Sequence, residues 1–427
     1  MNSIVLSLFA LLICCMLIGI PISWSLCISC AAALAMKGNL PVVLLAQRLF
    51  TGVNSFPILA VPAFMVAGEL MSKGGISKRI VDFSDAVAGR IHGGLAIVSI
   101  IACAFFAALT GSAIATTAAI GGIMYPEMKK RGYPGDFSAA VQAIGGTLGP
   151  VIPPSLLFVF WGITVNQSIP KLLMSGVVPG ILSALALCLV AYVIARARKM
   201  PRGEGKFSFK RVLVAGKDAL LALLMPLIIL GGIYSGVFTP TESAAVAVVY
   251  GLVVSLFIYR EIKPADLLPI FREAAVSTAN MTILIMGAQL FGWLVAYLKV
   301  PTMVGNFITS VAHSPLTFMM LVILVLFIAG MFMEAVAIIV IIAPILCPVA
   351  AMYGLDPVHF AFVCVFVLCL GISTPPFGPA TYVACGLSGQ PFLKVCKNLI
   401  PFIATQVVMA IVFTLIPGIS TWLPNLI

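Results

Sequence analysis

Apolar residues dominate the chain in long runs, with only short polar segments between them. The runs are rich in Leu, Ile, Val and Ala and recur from one end of the chain to the other. Runs of this kind are long enough to cross a bilayer as helices, whereas barrel strands would read as short alternating segments. The run that begins at Ile4 has no basic segment before it and no small-residue cleavage site, so we expect a retained span. The pattern predicts an all-α polytopic membrane protein.

Segment length and polar interruptions predict the path of the first half. Its elements are expected at about 4–20, 22–36 and 48–71 (three spans), 93–109 and 113–126 (a hairpin), 137–166 (a broken span) and 178–195 (a span). The hairpin arms are separated by Thr110-Gly111-Ser112, with basic loops on both sides. A chain that enters and leaves on one face in this way is a re-entrant hairpin.

The second half repeats this order. Its elements are expected at about 218–237, 241–260 and 276–298 (spans), 315–353 (a hairpin with its tip at Met333-Glu334), 358–388 (a broken span) and 400–425 (a span). The sequence therefore predicts about ten transmembrane helices, two of them broken, and two re-entrant hairpins.

Proline spacing indicates an internal duplication. Pro126 precedes Pro153-Pro154 by 27 residues, and Pro348 precedes Pro375-Pro376 by the same distance. The two sets lie 222 residues apart, an offset that also places Ser112 over Glu334. We predict one repeat at 1–198 (tip near 110–113, break near 145–155), a basic connector at 199–217, and a second repeat at 218–427 (tip near 333–334, break near 371–378). Matching interruptions in two halves are typical of secondary transporters.

Charge placement predicts sidedness. With 62% hydrophobic and 9% charged residues, the chain does not suit a water-soluble fold, and its net charge of +11 reflects basic loops rather than nucleic-acid binding. The loop from Ala350 to Pro357 has no Lys or Arg, whereas its counterpart in the first half has three. This contrast predicts inverted halves, with both termini periplasmic. The loops expected in the cytoplasm contain Lys73, Lys78, Arg79, Arg90, Lys129, Lys130, Arg131, and, in the connector, Arg202 and Lys206.

Glu334 is the strongest candidate for a functional side chain. It lies between two apolar runs, and a charge at bilayer depth is costly unless it faces a cavity or a partner. Misplaced span boundaries, which would put Glu334 at the interface, are the alternative. At the other tip, Ser112 with Thr110 and Gly111 offers hydroxyls and exposed backbone, although small residues also serve helix packing in membranes.

The broken spans supply further candidates because unwound backbone at membrane depth lies in protein or lines a cavity. Free carbonyls suit a hard cation such as sodium, and helix N-termini attract a carboxylate. Candidate substrate-binding residues are Ser112, Thr147, Ser155, Glu334 and Thr374. Candidate sodium-binding residues are Thr110, Gly111, Ser112, Gly149, Pro153, Gly371, Thr374 and Gly378.

Other chemistry is not indicated. Thr239-Pro240-Thr241-Glu242 is interpreted as a capping box for the next span. No GxxxxGK[ST], HExxH or GxSxG pattern occurs in the sequence, so neither ATP hydrolysis nor an intramembrane hydrolase is supported. We expect a protein that is not an enzyme and has no covalent cofactor.

Four motifs resemble a known family. Leu109-Thr110-Gly111-Ser112, Ile152-Pro153-Pro154-Ser155, Phe238-Thr239-Pro240-Thr241-Glu242 and Thr374-Pro375-Pro376 are similar to the large membrane subunit of tripartite ATP-independent periplasmic (TRAP) transporters. The resemblance covers essentially the whole chain. The chain departs from it at the second tip, where Glu334 stands in place of a frequent Asp, and at the first tip, which reads Gly-Ser-Ala rather than having a second Gly.

The resemblance implies a sodium-coupled elevator in the bacterial inner membrane that imports an organic acid anion: sialic acid, a C4-dicarboxylate or a sugar acid. Its expected partners are a periplasmic substrate-binding protein, a separate four-helix small subunit and membrane lipid. The alternative is a carboxylate carrier or antiporter of the wider ion-transporter group that works without a binding protein. An intramembrane enzyme is a third alternative.

Overall fold

The first half of the chain forms eleven helices among the residues described. The computed structural model describes residues 2–38, 41, 43–89, 91–201, 208–376 and 378–426. The helices of the first half are α1 (Asn2–Leu17), α2 (Ile22–Lys37), α3 (Val43–Val53), α4 (Ala60–Lys73), α5 (Ile76–Ala88), α6 (Gly94–Thr110), α7 (Ala113–Lys130), α8 (Gly135–Gly146), α9 (Leu156–Val165), α10 (Ile169–Ser175) and α11 (Val177–Ala197).

The second half is also helical, and no strand occurs in the described parts of either half. Its helices are α12 (Phe209–Tyr234), α13 (Pro240–Val253), α14 (Pro264–Tyr297), α15 (Val300–Val311), α16 (Pro315–Gly330), α17 (Ala335–Met352), α18 (Pro357–Gly371), α19 (Pro379–Ser388), α20 (Phe392–Leu415) and α21 (Gly418–Thr421). Short 3₁₀ turns cover Phe56–Leu59 and Pro424–Leu426, and one π turn covers Val254–Ile258. The predicted all-α fold is confirmed.

Helix boundaries repeat between the halves. Helix α7 begins at Ala113 and ends at Lys130, and α17 begins and ends 222 residues later, at Ala335 and Met352. Helices α8 and α18 begin the same distance apart, and each is followed by a break and a short helix of ten residues, α9 or α19. Each half thus contains one hairpin (α6–α7 or α16–α17) and one broken helix (α8–α9 or α18–α19).

Membrane-spanning length is reached by several of these helices. Among the described residues, seven helical segments are long and apolar enough to cross a bilayer, or eight if the α15–α16 pair is counted as one span. That pair bends by 112° at Ala312–Ser314, so α15 runs across the direction of the hairpin arm α16. Both broken helices are made of pieces that are individually shorter than a span, as the Gly and Pro residues between them require.

Several predicted boundaries differ from the structure. The span predicted at 48–71 is split, because Ser55-Phe56-Pro57 separates α3 from the α4 segment. The basic loop after it contains the amphipathic helix α5, whose polar face looked like a loop in the sequence. Helix α12 begins at Phe209, inside the predicted connector. Helix α14 begins at Pro264 rather than near 276, and the last span begins at Phe392 rather than near 400. Arg90, Arg202 and Lys206, which were used to predict sidedness, lie outside the described residues.

The two halves pack against each other through matching pairs of helices. Helix α7 packs against α19 of the other half, and α17 packs against α9. The same exchange joins α4 to α13 and α2 to α14. Between α7 and the end of α19, the hydroxyl of Tyr125 donates a hydrogen bond to the carbonyl of Ser388 at 3.0 Å. Each hairpin is therefore held by the broken helix of both halves.

Candidate functional site

The first hairpin turns on a glycine and a serine. Gly111 has a φ of 62°, a left-handed conformation that glycine adopts without steric cost, and its N–H donates to the carbonyl of Ala107 at 3.0 Å. Ser112 is the N-cap of α7, and its hydroxyl accepts a hydrogen bond from the N–H of Ala115 at 3.4 Å. The local sequence thus ends one arm and starts the next within two residues.

This first tip rests on the break of the helix α8–α9. A Cβ atom added to Gly149 would lie 2.6 Å from the carbonyl oxygen of Ser112, and one added to Gly111 would collide with the carbonyl oxygen of Pro154. Two glycines therefore allow backbone to meet backbone at this contact. Gly111, Ser112 and Gly149 were all predicted as sodium-binding residues, and the structure brings them together.

The remaining candidates of the first break hold its shape. The Thr147 hydroxyl donates to the carbonyl of Ile144 at 2.7 Å, and the Ser155 hydroxyl donates to that of Pro150 at 2.5 Å. Ser155 also caps α9, and the bond between Pro153 and Pro154 is cis. These side chains are buried behind the tip and bonded to the protein's own backbone, so they support the site from behind.

The second tip is built differently. Glu334 stands at the N-terminus of α17 with φ −65° and ψ 139°, but its side chain makes no capping hydrogen bond. Below it, Gly330 and Gly371 meet so closely that a Cβ atom on Gly371 would lie 2.5 Å from the carbonyl carbon of Gly330. This contact seats the end of α16 on the second break.

The other candidates of the second break also bond locally. The Thr374 hydroxyl donates to the carbonyl of Leu370 at 2.6 Å, and the N–H of Gly378 donates to the carbonyl of Thr374 at 3.2 Å. The Thr381 hydroxyl, which sequence reasoning did not select, donates to the carbonyl of Ser373 at 2.7 Å. The bond between Pro375 and Pro376 is cis.

Both tips line a single cavity of about 200 Å³, which we call the tip cavity. Glu334 is exposed and Ser112 is half-buried, and both line this cavity. The cavity is completed by residues of α4, α9 and α14, including Phe64, Gly68, Glu69, Leu157, Phe160 and Met281. The two tips thus share one cavity, while the binding roles of the individual residues stay predictions.

Glu69 was missed as a site residue. The sequence analysis did not select it, but it is half-buried on α4 and lines the tip cavity together with Glu334. Its signal was a carboxylate within an apolar helix. Among the described residues that line the tip cavity, two are carboxylates and none is Lys or Arg.

A second, larger cavity of about 890 Å³, which we call the vestibule, lies along the same helices. It is lined by residues of α3, α9, α14 and α17 and of the turn after α9, including Arg48, Asn166, Gln167, Gln289, Trp293 and Pro344. The tip cavity and the vestibule share no lining residue. Sequence reasoning gave no indication of the vestibule, because its walls come from segments distant in the chain.

The predicted capping box at Glu242 is confirmed. One carboxylate oxygen of Glu242 accepts hydrogen bonds from the N–H of Thr239 at 2.8 Å and from its hydroxyl at 2.9 Å. In return, the N–H of Glu242 donates to the Thr239 hydroxyl at 3.2 Å. Glu242 lines neither cavity, which supports a structural role.

Comparisons with known proteins agree with this architecture. Residues 9–419 match the family model described as "Tripartite ATP-independent periplasmic transporter, DctM component". The chain is 40% identical over 401 residues to the C4-dicarboxylate TRAP transporter large permease protein DctM of Pseudomonas aeruginosa, covering 92% of this chain and 94% of that protein. It is 38% identical over 404 residues to the isethionate TRAP transporter permease protein DctMQ of Oleidesulfovibrio alaskensis, covering 95% of this chain and 64% of that longer protein.

Among solved structures, the Alcanivorax borkumensis YdaH transporter is similar in fold. The TM-score is 0.64 at 12% sequence identity, and the match covers 88% of each chain. At this level of identity the likeness concerns the fold alone.

Proposed function

Since the chain belongs to the DctM family of tripartite ATP-independent periplasmic transporters, we propose that it is the large permease subunit of a sodium-coupled, binding-protein-dependent importer of a small organic anion. The observation that carries the proposal is the tip cavity, which is lined by the hairpin tips of both halves and by the carboxylate residue Glu334. Interrupted helices around a site shared by two repeats are the usual arrangement of secondary transporters.

The charge of the tip cavity supports cation coupling. Glu334 and Glu69 line it, and no cationic side chain does so among the described residues. An anion that enters such a site meets like charge, which costs free energy in a weakly polar environment. A co-bound sodium ion would offset this cost, because hydroxyls, carbonyls and carboxylates are the ligands of hard cations. We therefore propose that sodium is bound and transported together with the anion.

The volume of the tip cavity favours a small substrate. Pockets for drug-sized ligands span roughly 300–1,000 Å³, and the tip cavity measures about 200 Å³. A C4-dicarboxylate, or an anion of similar size, would fit this conformation better than sialic acid. The relatives from Pseudomonas aeruginosa and Oleidesulfovibrio alaskensis are named for a C4-dicarboxylate and for isethionate, which are anions of this size class.

We propose that one group of helices moves during transport and that another group stays fixed. The hairpins and broken helices contact one another across the repeat, whereas α4 and α14 pack against α13 and α2 and contact the first group through α6 and α17. We assign the first group to a moving elevator unit and the second to a fixed scaffold. A small four-helix membrane subunit would brace the scaffold, and a periplasmic binding protein would deliver the anion. Inverted halves and periplasmic termini belong to the same proposal.

Reconstitution tests the proposal directly. The large subunit is placed in proteoliposomes with the small subunit, and the binding protein is added outside with radiolabelled succinate, isethionate, gluconate or N-acetylneuraminate. With an inward sodium gradient we expect at least one acid to accumulate, with the two smaller acids favoured. A potassium gradient of equal size serves as the control.

Each part of the proposal can be rejected by a separate result. Accumulation that is equal under potassium would reject sodium coupling. Equal uptake without the binding protein would favour the carrier or antiporter alternative. If no acid accumulates in any condition while the complex remains intact by size-exclusion chromatography, the proposed substrate class is wrong.

A further inference from the structure

The vestibule has a charge opposite to that of the tip cavity. Of the described residues that line it, Arg48 is the one with a charge, and its other polar groups are amides and hydroxyls. No described carboxylate lies within ion-pair distance of the Arg48 guanidinium. A cavity with one free guanidinium and no acid attracts anions, because a guanidinium offers planar, charged donors that match a carboxylate or a sulfonate.

Arg48 is held in place by the packing of α3 on α14. One turn beyond Arg48, Gly52 lies so close to α14 that an added Cβ atom would be 2.7 Å from the Cβ of Gln289. In the next layer, the Arg48 guanidinium lies over the Trp293 ring, 4.9 Å from its centroid. Because residues four apart share one helix face, the two layers form a single contact. Arg48 and Trp293, in contact with each other, both line the vestibule.

Gln289 connects this wall of the vestibule to the opposite one. Its side-chain amide donates a hydrogen bond to the carbonyl of Ile163 on α9 at 3.1 Å, across the boundary between the proposed scaffold and the proposed moving unit. Gln167 lies on the far side, where it accepts a hydrogen bond from the Trp161 indole at 3.2 Å. Amides thus line the vestibule on both sides of the boundary.

The vestibule and the tip cavity follow one another along the same helices. On α17, Val336 lines the tip cavity and Pro344 lines the vestibule, eight residues further on. On α14, Met281 and Gln289 are separated by the same number of residues. At 1.5 Å per residue these separations correspond to about 12 Å. The vestibule lies toward the end of α17, next to the loop whose lack of Lys and Arg predicts the periplasm.

We propose that the vestibule is a first binding station for the transported organic anion, at which Arg48 binds its carboxylate or sulfonate before the anion reaches the tip cavity. The inference rests on the proposed function for the identity of the anion. Arg48 supplies positive charge in the vestibule, whereas the tip cavity would depend on a co-bound cation. Binding at this station should therefore not require sodium.

The competing interpretation is that Arg48 and Trp293 only anchor the helices at the membrane interface, where Trp, Tyr, Lys and Arg are common. The chain provides a matched control. One turn beyond Trp293, the ammonium group of Lys37 lies 3.8 Å from the centroid of the Tyr297 ring. Lys37 does not line the vestibule. A membrane anchor predicts equal effects at Lys37 and Arg48, whereas an anion site predicts an effect at Arg48 alone.

The test measures binding without transport. The membrane complex, in nanodiscs of phosphatidylcholine and without the binding protein or sodium, is titrated with succinate, isethionate, gluconate and N-acetylneuraminate. Tryptophan fluorescence is recorded, and the Trp293→Phe variant identifies the part of the signal that comes from Trp293. We expect a saturable change with the transported acid. Its Kd should rise at least about tenfold in Arg48→Gln, or about 1.4 kcal/mol, less in Arg48→Lys, and not at all in Lys37→Gln.

Two results would overturn the proposal that the vestibule binds the transported anion. One is an unchanged Kd in Arg48→Gln, and the other is the absence of any Trp293 signal with an acid that the same preparation accumulates in proteoliposomes. Size-exclusion profiles of the variants exclude misfolding as the cause. Failure of every acid to accumulate would reject the proposed function separately, while the titration still decides whether Arg48 binds an anion.

Discussion

The two hairpin tips occupy equivalent places in the repeat but are built on different principles. At the first tip, the Ser112 hydroxyl caps α7 and the backbone fits against the break through Gly111 and Gly149. At the second tip, Glu334 occupies the same helix position without capping α17, and its carboxylate extends into the tip cavity. The first tip is closed by its own hydrogen bonds, whereas the second presents an unpaired charged group.

This difference indicates a division of labour. A side chain that satisfies a helix terminus stabilises the local fold, whereas a carboxylate with no local partner is free to bind a cation or respond to a substrate. We therefore expect substitutions at Glu334 to affect transport more than substitutions at Ser112, although the two residues are 222 positions apart in matching places. The following experiments test that ranking.

The largest effect is expected at Glu334. Glu334→Ala removes one of the two carboxylates that line the tip cavity. Uptake by proteoliposomes should fall by at least about tenfold, which corresponds to ~1.4 kcal/mol. Insertion should persist, because removing a charge from a membrane protein does not penalise insertion.

Glu334→Gln is the matched variant, since it keeps the size of the side chain and removes only the charge. If the charge matters, it should transport as poorly as Glu334→Ala and lose its sodium dependence. Normal uptake by Glu334→Gln would show that shape, and not charge, distinguishes the second tip.

The next largest effect is expected at the close glycine contacts between each hairpin and its broken helix. Gly149→Ala and Gly371→Ala would each place a methyl group within 2.6 Å of backbone atoms of the neighbouring hairpin. Such overpacking costs roughly 1–3 kcal/mol, so uptake at matched protein levels should fall about fivefold and the melting temperature should decrease. Gly386→Ala is the control, because an added Cβ atom there meets nothing within 4 Å. Equal behaviour of all three variants would contradict close seating.

A milder effect is expected at Ser112. Ser112→Ala removes the N-cap of α7 but leaves the backbone of the tip intact. The capping bond is long, at 3.4 Å, so its loss should cost about 0.5 kcal/mol, at the low end of the range for caps. Uptake should fall by only about two- to threefold. A loss as large as that of Glu334→Ala would mean that the hydroxyl binds an ion or the substrate directly.

The smallest effect is expected at Glu242, which lies away from both tips. Glu242→Gln can still accept the hydrogen bonds from Thr239 that complete the capping box. Uptake should stay within about twofold of the unsubstituted protein. A transport-dead Glu242→Gln variant with normal folding would place part of the mechanism outside the tip cavity.

Much of the fold could be predicted because its signals are local. A polar tip between apolar arms identifies each hairpin, and clusters of Gly and Pro identify each break, so α6–α9 and α16–α19 were located within a few residues. The amphipathic helix α5 was missed because its basic face resembles a cytoplasmic loop. Helix α15 was missed because it lies across its neighbour after a bend of 112°, which no local pattern predicts.

The site was predictable only in part. Glu334 stands out because a carboxylate in an apolar segment is costly, and Ser112 could then be found through the repeat. Most of the remaining lining of the tip cavity could not be found in this way. Phe64 and Met281 reach it through packing between distant helices, and neither their type nor their spacing marks them as partners of the tips. Glu69 did carry the signal of a carboxylate in an apolar helix, but it has no place at a tip of the repeat.

The reciprocal packing of α7 with α19 and of α17 with α9 has a consequence for biogenesis. When the ribosome has delivered only the first half to the membrane, α7 and α9 lack their partner helices from the second half, and the first tip lacks the second-half residues that complete the tip cavity. The order of synthesis therefore cannot be the order of assembly. The final packing of the first hairpin therefore has to follow the insertion of the last third of the chain. If the two halves are produced as separate chains in one cell, they should accordingly associate into a stable complex. Either half produced alone should be degraded.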